Sequence, residues 1–335
     1  MTTLRALAGA ALAATILIGG AGLPTAASSA EWDMALPWGA KEFHTQNAIR
    51  FAEAAKEASG GDVVITVHPG GALGIKGPET VRSVRDGIVP IAEGVMLQTI
   101  GEVPIIGVES LPYLIESIDD LRALHSIARE DFEEGLSRHN IKVLYMVPWP
   151  ANQIFSRREI KSPEDFKGLK IRTTDSNSTK FFEALGATPV QMPIADVLPA
   201  LASGAIDATM TSMTTAADQK YWEFLPYGYL TRHLWASNGM LVNLDAWNDL
   251  SPEDRTAIEA VAEELEPQFW EISAGEDAKA IETLRTGGMT VEEPTPEVAD
   301  ALRAAARPVW ESTVSSIGPR ASEILSEYLV AVGRN

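Results

Sequence analysis

The sequence contains no cysteine. Disulfides, thiol nucleophiles, thiolate-bound metals and a lipid-bearing cysteine are therefore all excluded. It is also poor in cations, with 27 Lys and Arg against 46 Asp and Glu, for a net charge of −19. Nucleic acid and anionic lipid are held by clustered Lys and Arg, so neither is an expected partner. No Gly-x-Ser-x-Gly elbow, phosphate-binding loop or His-Glu-x-x-His pair is present. The histidines (His44, His68, His125, His139 and His233) show no metal-ligand spacing. Adjacent acids at Asp119-Asp120, Glu133-Glu134 and Glu263-Glu264 face different sides of a helix and make no dyad. No catalytic group, metal or cofactor is expected. Past the N-terminus, no stretch approaches the roughly 18 consecutive apolar residues of a spanning helix.

What is present begins with an address. Arg5 precedes a small and apolar run from Ala6 to Leu23, and Ala26-Ala27-Ser28-Ser29-Ala30 follows Pro24 and Thr25. Basic start, apolar middle and small-residue tail are the order of a secretory signal peptide. Residues 1–30 are expected to be removed by cleavage near Ala30, in preference to staying as an anchor. The remaining chain would begin near Glu31, without direct membrane insertion.

Strands then alternate with helices. Trp32–Leu36, Val63–Val67, Val89–Ala92, Ile141–Val147, Leu169–Arg172, Ile206–Met210 and Ala236–Val242 read as strands. Phe43–Ala58 has helical spacing, with Ala48, Phe51, Ala52 and Ala55 on one face. Ser117 caps a helix to about Arg138. Ser162-Pro163-Glu164-Asp165 and Ser251-Pro252-Glu253-Asp254 both carry a cap, a first-turn proline and acids at the positive end of the dipole. The second opens a long helix toward Arg285, with a kink expected at Pro267. A further bend is expected at Gly318-Pro319. The alternation predicts an α/β fold with mostly parallel sheets. No Pro/Gly/Ser linker separates two beads, so two lobes sharing crossover segments fit better, the long helix crossing between them.

One stretch departs from the acidic background. Arg157 to Arg172 holds six basic and three acidic residues. Arg172 ends an apolar strand, and open α/β sheets bind ligands beyond the carboxyl ends of their strands. A guanidinium offers a planar fork that matches a carboxylate. Arg172 is the prime candidate for an anion clamp.

The run Ser162–Arg172 (SPEDFKGLKIR), followed by Phe181–Ala208 (FFEALGATPVQMPIADVLPALASGAIDA), closely resembles the solute-binding proteins of TRAP transporters, the tripartite ATP-independent, DctP-type family. Phe51–Gly74 and Val108–Leu114 (VESLPYL) are similar to further family segments. The resemblance spans about Trp32 to Leu329. It implies a two-lobed periplasmic receptor that closes on a small organic acid and delivers it to the membrane permease subunits. The lobes are expected at 31–150 plus 237–275, and at 151–236 plus 276–335. Arg172 matches the family's carboxylate-binding arginine. Thr211 falls where many members place an asparagine, and Ile194 where an apolar or aromatic side chain covers the ligand. Many members carry a second arginine about twenty residues earlier. Here Asn152 and Gln153 stand in that neighbourhood.

A second buried carboxylate without a cation would cost several kcal/mol. A monocarboxylate is therefore expected. Trp149, Phe155, Met210, Met213, Val95 and Met96, with Trp38 from the other lobe, are taken as apolar or aromatic walls, which favours a benzoate-like acid. Short 2-oxo acids, C4-dicarboxylates and sugar acids are alternatives. An exported enzyme on the same lobes would need an acid, base or nucleophile in the cleft, and a binding protein of the ABC type would not share the Lys167–Arg172 segment.

Overall fold

The computed structural model describes residues 29–334. The expected leader, up to residue 28, lies outside the described residues. Eleven strands are formed: β1 (Ala30–Ala35), β2 (Val63–His68), β3 (Ile91–Val95), β4 (Ile141–Pro148), β5 (Asn152–Ser156), β6 (Lys170–Thr173), β7 (Thr188–Gln191), β8 (Ala208–Thr211), β9 (Tyr227–Leu234), β10 (Ser237–Asn243) and β11 (Thr290–Glu292). The helices are α1 (Phe43–Ala58), α2 (Thr80–Arg85), α3 (Ile118–Ser137), α4 (Ser176–Ala184), α5 (Val197–Ser203), α6 (Met213–Asp218), α7 (Leu244–Asn248), α8 (Pro252–Thr286), α9 (Pro296–Ile317) and α10 (Pro319–Ala331).

Local chemistry sets these boundaries. The carboxylate of Glu42 accepts from the His44 N–H and caps α1. Gly60 and Gly61, at φ 63 and 93, then turn the chain out of it. Ala48, Phe51, Ala52 and Ala55 of α1 are buried against the first sheet. Full burial of a side chain such as Phe51 contributes about 1.5–3 kcal/mol. Ser117 caps α3 by accepting from Asp120 N–H.

The first sheet has the order β2-β1-β3-β10-β4, the second β11-β9-β5-β8-β6-β7. β1 pairs parallel with β2 and β3, and β10 runs antiparallel to β3 and β4. In the second sheet β5 is antiparallel to both β8 and β9, while β6 is parallel to β7 and β8, and β11 to β9. The expected α/β two-lobe fold is formed, but both sheets are mixed rather than mostly parallel. β5 alone is reversed and accounts for the difference in the second sheet. Neither β5 nor its antiparallel neighbour β9 reads as a strand from its sequence.

The chain crosses between sheets at Trp149–Ala151 and at Trp235–Ala236, and Trp149 N–H donates to Ala236 C=O at 2.8 Å to tie the crossings together. α8 crosses a third time. Its Ile258, Ala262, Phe269 and Trp270 lie in the first sheet's core, and its Ala280 and Leu284 in the second lobe. The helix continues through Pro267 as a single element. Pro267 and Glu263 are both exposed, so the carbonyl that proline leaves unpaired faces water. The C-terminus departs from the expected division. α9 packs Val298, Leu302 and Val309 into the second lobe, but α10 returns Ala321, Ile324 and Tyr328 to the first core. The Tyr328 hydroxyl donates to Leu114 C=O there at 2.9 Å. The helix expected at Ser162 is one 3-10 turn, Pro163–Phe166. Gly168, at φ 67, turns the chain away two residues later. Among the described residues no helix is long and apolar enough to cross a membrane.

Candidate functional site

A cavity lies where the two lobes face each other, with a volume of about 60 Å3. Arg172 reaches it from the end of β6, as the strand-end argument expects. Its side chain is 2% exposed. Nε donates to Met192 C=O at 3.0 Å, and Nη1 to Met210 C=O at 3.1 Å. A guanidinium has five N–H donors. Two are thus spent on backbone, and those remaining lie along the Nη1–Nη2 edge. Among the described residues, no carboxylate forms an ion pair with Arg172. Burial lowers its pKa, opposed by Tyr221 and Asp175 nearby. Burial in turn raises the Asp175 carboxyl to about 6, against hydrogen bonds from the start of α4 and the charge of Arg172. The arrangement is a fixed, desolvated positive fork that is ion-paired to no carboxylate among the described residues, with Asp175 acting on it from farther off.

Among the described residues, Arg172 is the only charged side chain in the cavity lining. Asn152, at the start of β5, spends Nδ2 on Leu234 C=O at 3.4 Å and keeps Oδ1 free. Thr211, Thr174, Ser212 and Thr215 add hydroxyls from the end of β8, the end of β6 and the start of α6. Gln98 adds an amide whose Oε1 has no donor. From the first lobe come Trp38, Pro37, Gly77, Val95 and Leu97. The ring centroids of Trp38 and Trp149 are 5.5 Å apart at 58°, forming two sides of an aromatic corner. Ile194 closes the second lobe's side. Beside it, Lys76 Nζ meets Asp196 at 3.0 Å and 3.3 Å, an ion pair that spans the cleft mouth.

The cavity therefore brings together Arg172, Asn152, Thr211, Trp149, Ile194, Val95 and Trp38 of the residues expected from sequence. Five others do not line it. Gln153 accepts from Arg232 N–H at 2.9 Å, clasping a bulge in β9 where Arg232 is at φ 44. Phe155 lies one pleat from Ile154 and enters the third core cluster. Met210 packs beside its cross-strand partner Ile154 in the second cluster. Met213, in the first turn of α6, joins the third. Met96 packs on Gly239, where an added Cβ would lie 2.6 Å from its sulfur. Of the lining residues that sequence reasoning missed, Ser212 and Thr215 had a legible signal, since they continue the hydroxyl-rich run from Thr211. Thr174, Gln98 and Ala236 did not.

The family model for bacterial extracellular solute-binding proteins, family 7 (DctP), matches residues 34–316. The chain belongs to this family. It is a TRAP-type solute-binding receptor, not an enzyme, and the family is periplasmic. A solved structure of a TRAP solute-binding protein specific for pyroglutamate, from an unidentified marine microbe, is 32% identical, with a TM-score of 0.87 over 90% of this chain and 99% of that one. DctP6 of Bordetella pertussis, an extracytoplasmic solute receptor binding pyroglutamic acid, is 29% identical, with a TM-score of 0.85 over 89% and 99%. The ectoine-binding periplasmic protein TeaA of Halomonas elongata is 25% identical over 92% of this chain and 91% of its own.

Proposed function

We propose that this receptor captures a small cyclic monocarboxylate between its lobes and hands it to the membrane permease subunits of a TRAP transporter. One observation carries the reading: among the described residues, a single buried guanidinium, ion-paired to no carboxylate, is the only charge in the cavity wall. One carboxylate on the Nη1–Nη2 edge would neutralise it. A second carboxylate would be buried without a cation, at a cost of several kcal/mol.

The ring is the finer point. An aromatic acid of the benzoate type was expected from apolar walls. With Phe155, Met210, Met213 and Met96 committed to cores, hydroxyls and amides take their place. A ring with its own donor and acceptor answers Gln98, Asn152 and Thr211 as benzoate does not, since polar groups left unpaired in a closed site cost affinity. Trp38 and Trp149 still favour a flat body. Two pyroglutamate-binding relatives support the same class. The lobes of the proposal are 31–148 with 237–270 and α10, and 152–234 with the rest of α8 and α9.

The test is a thermal-shift and calorimetric panel of pyroglutamate, benzoate, a 2-oxo acid, a C4-dicarboxylate and a uronate. A ligand at a hundredfold excess over its Kd adds about 2.7 kcal/mol to apparent stability. Pyroglutamate should give the largest shift. A shift with the dicarboxylate or uronate alone would overturn the one-carboxylate reading, and one with benzoate alone would restore the aromatic class.

The cleft-mouth pair gives a smaller expectation. Lys76 and Asp196 are each about half exposed, at 51% and 46%. Exposed pairs contribute about 0.2–1 kcal/mol. Lys76→Ala should weaken binding by at most about fivefold at low salt. The effect should vanish at 1 M salt. A salt-independent loss would mean that Lys76 touches the ligand.

A further inference from the structure

One wall of the cavity is held by side chains that do not themselves line it. Trp149 donates Nε1–H to Asn238 Oδ1 at 2.7 Å. Asn238 Nδ2 donates to Glu93 Oε1 at 2.9 Å. His44 Nδ1 lies 2.8 Å from the same oxygen. The circuit closes where the His44 ring meets the Trp149 ring, with centroids 4.2 Å apart at 46°. His44, Glu93 and Asn238 are fully buried, and Trp149 is 6% exposed. The four come from α1, β3, β10 and the crossing after β4, so packing of the first lobe brings them together.

The direction of each bond follows from chemistry. A carboxylate only accepts, so the Asn238 amide must turn its NH2 to Glu93 and its oxygen to the indole. An indole N–H only donates, so the ring is satisfied in one orientation. A fully buried carboxylate is a poor choice for stability, because apolar side chains of similar volume would often serve as well or better. It is a good choice for holding one side chain in one place.

We propose that Glu93 and Asn238 are positioning residues that hold the Trp149 indole as a fixed wall of the cavity and thereby set the size and flatness of the acid admitted. The proposal rests on the reading that the acid binds in this cavity. Neither residue touches the ligand. They act through Trp149, and the effect is on selectivity as well as affinity.

The experiment is Asn238→Leu, which keeps the volume and removes both hydrogen bonds. Binding of pyroglutamate should weaken tenfold or more, that of the bulkier phenylacetate should weaken less, and the ratio between them should narrow. The indole N–H resonance of Trp149, identified by its loss in Trp149→Phe, should be protected from solvent exchange in the ligand-free wild type and exposed in Asn238→Leu. Glu93→Gln, which keeps an acceptor for Asn238, should stay within about threefold of wild type. Glu93→Leu should follow Asn238→Leu. A folded Asn238→Leu with wild-type affinity and ratio would overturn the proposal. So would a lower Tm with the indole still protected, since the pair would then serve stability alone. Should Asn238→Leu not fold, Asn238→Ala removes the same two bonds and is read by the same ratio and the same indole protection. If wild type binds none of the acids, yet indole protection still depends on Asn238, the ligand reading fails and the positioning of Trp149 stands.

Discussion

Arg172→Ala should weaken acid binding a hundredfold or more while leaving the ligand-free protein as stable as wild type, or slightly more so. The two halves have one cause. In the free receptor the guanidinium is 2% exposed and is ion-paired to no carboxylate among the described residues. Its desolvation is only partly offset by the carbonyls of Met192 and Met210. Removing it relieves that cost, and the two carbonyls lose one donor each. With ligand bound, the charge is compensated and its removal strands a carboxylate in a dry site, which costs 2–5 kcal/mol or more. Arg172→Lys should recover little, because an ammonium cannot reproduce a fork that also braces two backbone carbonyls. Calorimetry with pyroglutamate, and melting curves with and without it, check both halves. A variant that melts far below wild type in the absence of ligand would make Arg172 a structural residue first.

Glu42→Gln should stabilise the protein at pH 8.5 and leave it unchanged at pH 4. Glu42 is 5% exposed at the end of the loop that carries Trp38. Burial raises its pKa from 4.5 to about 8, opposed by the hydrogen bond from His44 N–H and reinforced by Asp218, Glu93 and Glu276. The folded protein therefore keeps a proton that the unfolded chain releases near pH 4.5. Stability falls as pH rises from about 4.5 to about 8, and above that the full cost is present. A shift of this size corresponds to at most about 5 kcal/mol. Glutamine mimics the protonated form at every pH. Its melting temperature should match wild type in acid and exceed it by several degrees in mild base. Parallel melting curves across that range would mean that Glu42 is ionised in the fold.

The parts of this molecule that sequence reveals are those fixed by near neighbours. α1 can be read because its spacing runs over sixteen residues to the Gly60-Gly61 stop, and α3 because Ser117 caps its twenty. Arg172 can be read because its strand is short, alternates Leu169 and Ile171 with basic residues, and follows Gly168. β5 and β9 cannot. All five residues of β5 are buried, polar Asn152 and Gln153 included, so no alternation shows. In β9 the register against β5 slips between Asn152 and Ile154, which breaks the period of two. Without that register, the face of each neighbouring residue is undetermined, and a slip of one residue exchanges the faces. That is why Asn152 and Thr211 were grouped with Phe155, Met210 and Gln153, which turn out to serve cores and a bulge. The role of Asn238 was invisible for a related reason. It depends on Glu93, 145 positions away.

The strand order of the first sheet also dictates when this protein can fold as its chain is made from the N-terminus. β4 joins the sheet only through β10, and β10 lies between β3 and β4. Until residue 243 is available, β1, β2 and β3 have an open edge and β4 has no partner. Such unpaired edges are prone to pairing with other chains. A fragment ending at Ala236 should lack a folded first lobe, although it carries four of that lobe's five strands.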